Sequence, residues 1–519
     1  MNQNFIKLNI DEVRYFLIKE NYEYEDLSNT IFFGFLRSKI LIGIIGFKNN
    51  TEICLIIIQK KHQEKGYGKR IFSYLINWCF IKSVPYITIN TTGKDYILNH
   101  ILSILGFYEK NKTSHKILWE LIINGKNVYD VNLNLSNNRF EKSLILNPTE
   151  NLPYYEYKKT KAFEGLYVSE NYRDSENKII FGGRDELIEL YNIAKVIWKK
   201  NLKAADVDLR TFSGLNSHLL FFLCVSKKND TVMLLPEEAG GHFSTGNILK
   251  KLGLKVEYFL IDEKNHRIDI KNSKTLIQNI NPNFIFIDRS EGLTYEDFGW
   301  LCEFTRTIKI FDASQYLTQI LTQAYPNPFC LGFDIILSTL HKNYPGPQKC
   351  IVATRENNHL WNEYISNSNT FISNNHPRDI FNSIIPLLDL EKLKLYSIEC
   401  LQCSKALSSE LYKLGVSVIL RDNNEYASLH TWIVFETKEK AYNAFLKLEE
   451  MNFLTNYRLL PYKLGYGLRI GISAAVRQGL RLQHISLLAQ LISEILDADT
   501  IQKELKIRCS NFIKSIIVK

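Results

Sequence analysis

A lysine and an aspartate, thirty positions apart, are the residues best placed to do chemistry in this sequence. Lys342 lies in "STLHKNYPGPQK" (338–349), between His341 and the turn formers Asn343-Tyr344-Pro345-Gly346-Pro347, where neither helix nor strand can continue. Asp312 closes the apolar run of "IKIFDASQ", at the carboxyl end of a predicted strand, where open α/β sheets bind their ligands. An amine held in a rigid turn can form a Schiff base with an aldehyde cofactor. A carboxylate at a strand end can keep a pyridine nitrogen protonated, so that the ring draws electrons from a substrate. Pyridoxal 5'-phosphate needs both groups. Taken singly, each residue is more often an ordinary loop residue.

The elements that must position them are written in apolar periodicity. From about residue 144, strands such as "TVMLLP", "LKVEYFLI", "FIFIDRS", "IKIFDAS" and "DIILST" alternate with helical stretches, an α/β pattern with a mostly parallel central sheet. Residues 1–125 form a separate α/β unit. "TIFFGFLRSKILIGIIGF" reads as a hairpin, "TEICLIIIQ" as a buried strand, and "GKRIFSYLINWCFIK" as a helix. The Asn-rich stretch 126–143 is the expected linker. The expected division is thus 1–125, 126–143, a large domain with an N-terminal arm over 144–385, and a small α+β domain over 386–519.

In the first unit, Gln63-Glu64-Lys65-Gly66-Tyr67-Gly68 joins a strand to a helix, with Lys69 and Arg70 following. Glycines let the backbone approach a ligand, and amides at a helix start hold phosphates. With "LGFYEKN" further on, the stretch resembles the GCN5-related N-acetyltransferase (GNAT) family. The resemblance implies acetyl-CoA or another acyl-CoA bound at Gln63, Lys65, Gly66, Tyr67, Gly68, Lys69 and Arg70. Where many members of that family carry an acidic tyrosine before the Gly-Phe pair, this chain has Leu102, and Tyr108 falls after the motif.

The second unit resembles serine hydroxymethyltransferase, a fold-type I pyridoxal-phosphate family, over several stretches in the family's order. "STLHKNYPGPQ" is similar to the lysine loop, which implies cofactor contacts at His341 and Lys342. "TFSGLNSH" is similar to the phosphate turn, implying Ser213, Gly214 and Leu215. "EEAGGHFSTG" implies that His242 stacks on the cofactor ring, and "IDRSEG" that Ser290 meets the ring hydroxyl. "LRIGISAAVRQG" implies that Arg469 grips the substrate α-carboxylate, which a two-pronged guanidinium suits. "PTENLPY", "VSENY" and "IIFGGRDE" imply Thr149, a catalytic Glu170, Phe181, Gly182 and Gly183. Lys342, Glu170 and His242 are the catalytic set implied, and a homodimer is expected, the arm serving the neighbouring subunit.

Some positions depart from that family. Gln315 replaces a histidine beside the ring aspartate and cannot titrate near neutrality. Phe181 lacks a phenol, and Glu237 is charged where folate would pack. These departures weaken folate-dependent transfer but leave Cα–Cβ bond chemistry on an α-amino acid intact. The expectation is a bifunctional enzyme, an aldolase, transaldolase or hydroxymethyltransferase joined to an acyl-CoA-dependent N-acyltransferase. The alternatives are a tetrahydrofolate-dependent hydroxymethyltransferase with an accessory CoA domain, and a non-catalytic acyl-CoA sensor.

Composition agrees with such an enzyme. The net charge of +9 over 519 residues is dispersed rather than clustered, which gives no nucleic-acid footprint. The cysteines are scattered, Cys400 and Cys403 excepted, and that pair falls in a helical pattern with no second ligand pair, so no metal is expected. No apolar run reaches membrane-spanning length and the N-terminus lacks a signal core, so a cytoplasmic location is expected, with no membrane partner.

Overall fold

The computed structural model describes residues 5–22, 27–37, 40–63, 67–123, 127, 144–146, 184–372, 376–420 and 426–517. Two compact units divide the chain, residues 1–142 and 143–519.

The first unit runs β1 (Phe5–Leu8), α1 (Ile10–Lys19), β2 (Thr30–Arg37), β3 (Ile40–Lys48), β4 (Glu52–Ile58), α2 (Tyr67–Ile81), β5 (Tyr86–Thr91), α3 (Tyr96–Ile104), β6 (Tyr108–Lys112) and β7 (Ile117–Ile122). The sheet order is β1-β2-β3-β4-β5-β7-β6. β4 and β5 are the parallel pair, and their register holds only at Glu52↔Thr88 and Ile53↔Ile89. Beyond that start the two strands part, and the later backbone groups of β4 on that side are left for something other than β5. Phe33, Phe47, Phe72 and Leu102 fill the core.

The second unit is built on seven strands: β8 (Asp206–Asp208), β9 (Thr231–Leu234), β10 (Lys255–Tyr258), β11 (Phe284–Ile287), β12 (Ile308–Asp312), β13 (Ile335–Thr339) and β14 (Cys350–Thr354). Their order is β10-β9-β11-β12-β13-β14-β8. The five strands from β10 to β13 in that order are mutually parallel, and β14 is antiparallel to both neighbours. All residues of β11, β13 and β14 are buried. Such uninterrupted apolar strands belong to a sheet covered on both faces. This is an α/β fold of the fold-type I pyridoxal-phosphate class.

Helix α4 (Arg184–Leu202) anchors on Trp198, whose indole donates to Ser383 Oγ at 3.0 Å. Helix α5 (Gly214–Val225) starts at Ser213, whose hydroxyl accepts from Asn216 N at 3.1 Å. Towards the C-terminus, β15 (His430–Val434), β16 (Asn456–Leu460) and β17 (Gly465–Gly471) make an antiparallel sheet in the order β15-β17-β16. Among the described residues no helix is long and apolar enough to cross a membrane.

Cys400 and Cys403 are buried on α6 (Leu390–Lys413). Burial pushes the thiols of Cys79, Cys224, Cys350 and Cys403 up to about 12. Cys302 and Cys330 are exposed. A thiol reagent applied to the native protein should therefore modify Cys302 and Cys330 first, and reach the buried thiols only on denaturation. Fast native labelling of Cys400 or Cys403, read by peptide mass spectrometry, would contradict this packing.

Candidate active site at the carboxyl edge of the sheet

Asp312 is the last residue of β12, and its carboxylate is largely but not wholly buried. Burial alone would raise its pKa. A contact of 2.9 Å between Oδ2 and His218 Nε2, a 2.8 Å bond accepted from Ser314 N, and the charge of Lys342 outweigh burial and hold it at about 2. With Nε2 donating to that carboxylate, His218 Nδ1 is left as an acceptor for Thr245 Oγ1 at 3.3 Å.

Lys342 follows β13, in a loop pinned on both sides. Leu340 N donates to Lys349 O at 2.9 Å, and Gly346 N returns a 2.8 Å bond to Leu340 O. A Cβ on Gly346 would lie 2.8 Å from that same carbonyl, so only glycine closes the loop. Asn343 accepts from Thr318 N at 2.6 Å and donates to Gln319 Oε1 at 2.7 Å, while the Tyr344 hydroxyl donates to Ser383 O at 2.6 Å. The charge of Lys342 is felt at Asp312, His242 and His341, which places the four together. Burial, then neighbouring positive charge, drives His242 and His341 down to about 4, so both rings are neutral at ordinary pH. His242 lies edge to face with His218, ring centres 6.0 Å apart.

The start of α5 gives the other end of the site. Ser213, Gly214 and Leu215 are its first residues, and a Cβ on Gly214 would sit 3.0 Å from the Thr339 methyl. The Thr339 hydroxyl is buried with no hydrogen-bond partner among the described residues. A helix N-terminus beside an orphaned hydroxyl suits a phosphate, an ionised carboxylate suits a pyridinium, and a lysine lies between strand ends. The donor set fits pyridoxal phosphate, with Ser213–Leu215, His242, Asp312 and Lys342 as the residues that would hold it.

Arg469, on β17, crosses to the loop after β11. Its Nη1 donates to Ser290 O at 3.1 Å and contacts the buried carboxylate of Glu291, which also contacts Arg458. Burial pushes the Arg469 guanidinium down to about 9, and the Glu291 carboxylate lies against it. Asp288 continues the β11–β12 register one step beyond Ile287↔Phe311, beside Asp312. It is buried, and burial raises its pKa well above the carboxylate range against the smaller opposing influence of the Thr245 hydroxyl and the His242 backbone. Gln315 is buried and lines a small cavity with Asn343, His430 and Ser473. Glu237 is exposed, within electrostatic reach of Arg458, so the burial cost expected for it does not arise. Thr149, Glu170, Phe181, Gly182 and Gly183 lie outside the described residues.

In the first unit Gly68, Lys69 and Arg70 open α2, while Lys65 and Gly66 lie outside the described residues. Gln63 turns back to donate to Ile58 O at 3.0 Å. Tyr67, expected at the ligand, is buried instead: it packs on Phe35 with ring centres 5.8 Å apart, and its hydroxyl takes a bond from Arg37. The Arg70 guanidinium stands over the Tyr67 ring. Leu102 is core, and the Tyr108 hydroxyl donates to the buried Glu120, which also pairs with Lys110.

His218, Glu291 and Asp288 were not legible as site residues. His218 carried one signal, a polar residue on the buried face of an apolar helix five positions after a capping serine. Glu291 carried none, because its partners come from distant strands.

This sheet order and this edge define a fold-type I pyridoxal-phosphate enzyme. The family model for serine hydroxymethyltransferase matches residues 124–492, and the chain belongs to that family. The acetyltransferase (GNAT) domain model matches residues 10–93, in the first unit. The serine hydroxymethyltransferase of Sulfolobus acidocaldarius is 23% identical over 381 residues, covering 70% of this chain and 83% of that protein. That of Pyrobaculum calidifontis is 27% identical over 308 residues, covering 57% and 71%. The solved L-threonine transaldolase of Pseudomonas fluorescens shares the fold with a TM-score of 0.69 at 18% identity, over 75% of this chain and 91% of that one.

The two depressed histidines have a consequence for stability. Their folded values, about 4, lie below the usual 6.5, so the folded state binds fewer protons than the unfolded chain. Their contribution is complete above about pH 6.5 and is lost as pH falls towards 4, at up to about 3 kcal/mol each, less what residual solvent returns. The cofactor-free protein should melt progressively lower across that window, and His242→Phe should remove roughly half of the loss. An unchanged melting profile would show that His242 is not desolvated.

Proposed function

We propose that the second unit catalyses Cα–Cβ bond chemistry on an α-amino acid, of the aldolase, transaldolase or hydroxymethyltransferase type, and that the first unit transfers an acyl group from acyl-CoA to an amine. The observation that carries the first half is Asp312, a largely buried carboxylate held ionised by His218, with Lys342 in electrostatic reach. Bound pyridoxal phosphate supplies an electron sink for the bond broken at Cα. The chain does the rest. Asp312 holds a proton on the pyridine nitrogen, neutral His242 presents an uncharged face to the ring, and the amides of Ser213–Leu215 orient the phosphate. Arg469 aligns the α-carboxylate, and Lys342 or Glu170 moves the proton.

Family membership favours a second reading, tetrahydrofolate-dependent interconversion of serine and glycine. Holoenzyme given L-threonine should release acetaldehyde without tetrahydrofolate. Strict dependence of serine cleavage on tetrahydrofolate, with threonine inert, would favour the second reading instead. Lys342→Ala should abolish the visible absorbance of bound cofactor and the activity together. Retention of that absorbance in the variant refutes the assignment of Lys342.

For the first unit, the parted strands β4 and β5 and the cationic start of α2 support the reading of an acyl-CoA site. Arg70→Ala should weaken acetyl-CoA binding, measured calorimetrically, by about tenfold for one lost phosphate contact. Equal affinity in the variant would remove Arg70 from the site.

A further inference from the structure

Arg469 does not stand open in this structure. Both guanidinium groups of a buried cluster lean on one carboxylate: Glu291 contacts Arg458 through Oε1 and Arg469 through Oε2. Arg469 is 2% exposed and Glu291 is 3% exposed, while Arg458 reaches them from the half-buried strand β16. β16 and β17 pair with Asn456 opposite Arg469 and Arg458 opposite Gly467, so the two arginines are diagonal neighbours on one face of the sheet. Two cations share the one carboxylate they contact; Arg458 is partly exposed and also feels Glu237, whereas Arg469 is enclosed, where burial disfavours a charge that is only half matched. Arg469 Nε is also buried and has no hydrogen-bond partner among the described residues. One monovalent carboxylate would complete both deficits.

We propose that Glu291 is an internal stand-in for the substrate α-carboxylate, and that Arg458 is the residue that receives it when substrate arrives. The inference rests on the reading of Arg469 as the α-carboxylate group. In the resting site Glu291 bridges the two arginines. An incoming α-carboxylate takes Arg469, and Glu291 withdraws onto Arg458, so that each guanidinium ends with one carboxylate and no buried charge is left unmatched. Glu291 and Arg458 are thus positioning residues for binding. The charge count also names the ligand class: an α-amino acid with one carboxylate and an uncharged side chain. A second acidic group would meet Glu291 with no cation left to balance it.

The experiment is a spectral titration of the holoenzyme with L-threonine, L-serine, L-aspartate and L-threoninol, the last lacking the carboxylate. Arg458→Gln leaves Glu291 with Arg469 as its sole partner, and L-threonine should bind tenfold or more weakly. In the double variant Glu291→Gln, Arg458→Gln the competing charge is gone, and affinity should return to within about threefold of the parent enzyme. Glu291→Gln alone should tighten L-threonine several-fold, and L-threoninol should change little in any of the three. L-aspartate should bind the parent enzyme more weakly than L-serine. The proposal is overturned if the double variant is as weak as Arg458→Gln, if Glu291→Gln weakens L-threonine, or if L-threoninol loses affinity in step. Should no α-amino acid perturb the parent spectrum, the reading of the site itself fails, and this inference falls with it.

Discussion

A largely buried carboxylate kept ionised is the constraint around which the edge of the second sheet is organised. Burial pushes Asp312 towards the neutral acid, and a neutral acid could not hold a proton on a pyridine nitrogen. His218 contributes most to reversing that balance, helped by the Ser314 amide and the charge of Lys342. The helix that supplies His218 also supplies Ser213–Leu215 at its N-terminus, so one rigid element sets both the ring end and the phosphate end of the site. Four residues of helix from Gly214 to His218 rise about 6 Å, a distance that helical geometry fixes rather than side-chain flexibility. The asymmetry with Asp288 makes the point. That carboxyl group lies one strand away and deeper, and without a histidine side chain paired to it burial dominates and raises its pKa.

The same logic of matched burial joins the C-terminal sheet to the site. Asp288, Arg289, Ser290 and Glu291 follow β11 in sequence, and the last three reach across to other elements. Arg289 donates to the Tyr462 hydroxyl at 2.9 Å and pairs with Glu296, the Ser290 carbonyl takes Arg469, and Glu291 sits between Arg469 and Arg458. Buried ion pairs add little stability beyond what apolar packing would give, and they are costly to break. Their effect here is to fix register: β16 and β17 cannot slide past the loop after β11 without leaving a guanidinium unmatched.

How much of this was legible depended on whether a role was local. Lys342 announced itself through its own turn, since Pro345, Gly346 and Pro347 describe the loop without reference to anything else. Asp312 was legible from the strand it terminates, and Ser213 from the helix it caps. The parallel sheet followed from apolar runs such as "FIFI" and "IILST". Tyr67 was assigned to the ligand because it sits in a glycine motif, but the motif ends in a helix whose first turn faces the core, and the ring packed on Phe35. His218, Glu291 and Asp288 depend on neighbours 94, 178 and 24 positions away, and no local pattern encodes such pairings.

The first unit poses a sharper version of the same problem. Leu102 occupies a core position on α3, so a phenol there would have to displace packed hydrocarbon. Tyr108 is the nearby phenol, and its hydroxyl is committed to Glu120. That bond raises its pKa, and the same carboxylate is shared with Lys110 on the edge strand β6. A phenol whose proton is held by a carboxylate is a poor proton donor to anything else. If acyl transfer occurs between the parted ends of β4 and β5, the leaving thiolate must take its proton from water or from a donor other than Leu102 and Tyr108. An amine acceptor that loses its own proton as it attacks would itself release one at the reaction centre. In that case the site needs only orientation and desolvation, which parted strands and a helix start can supply.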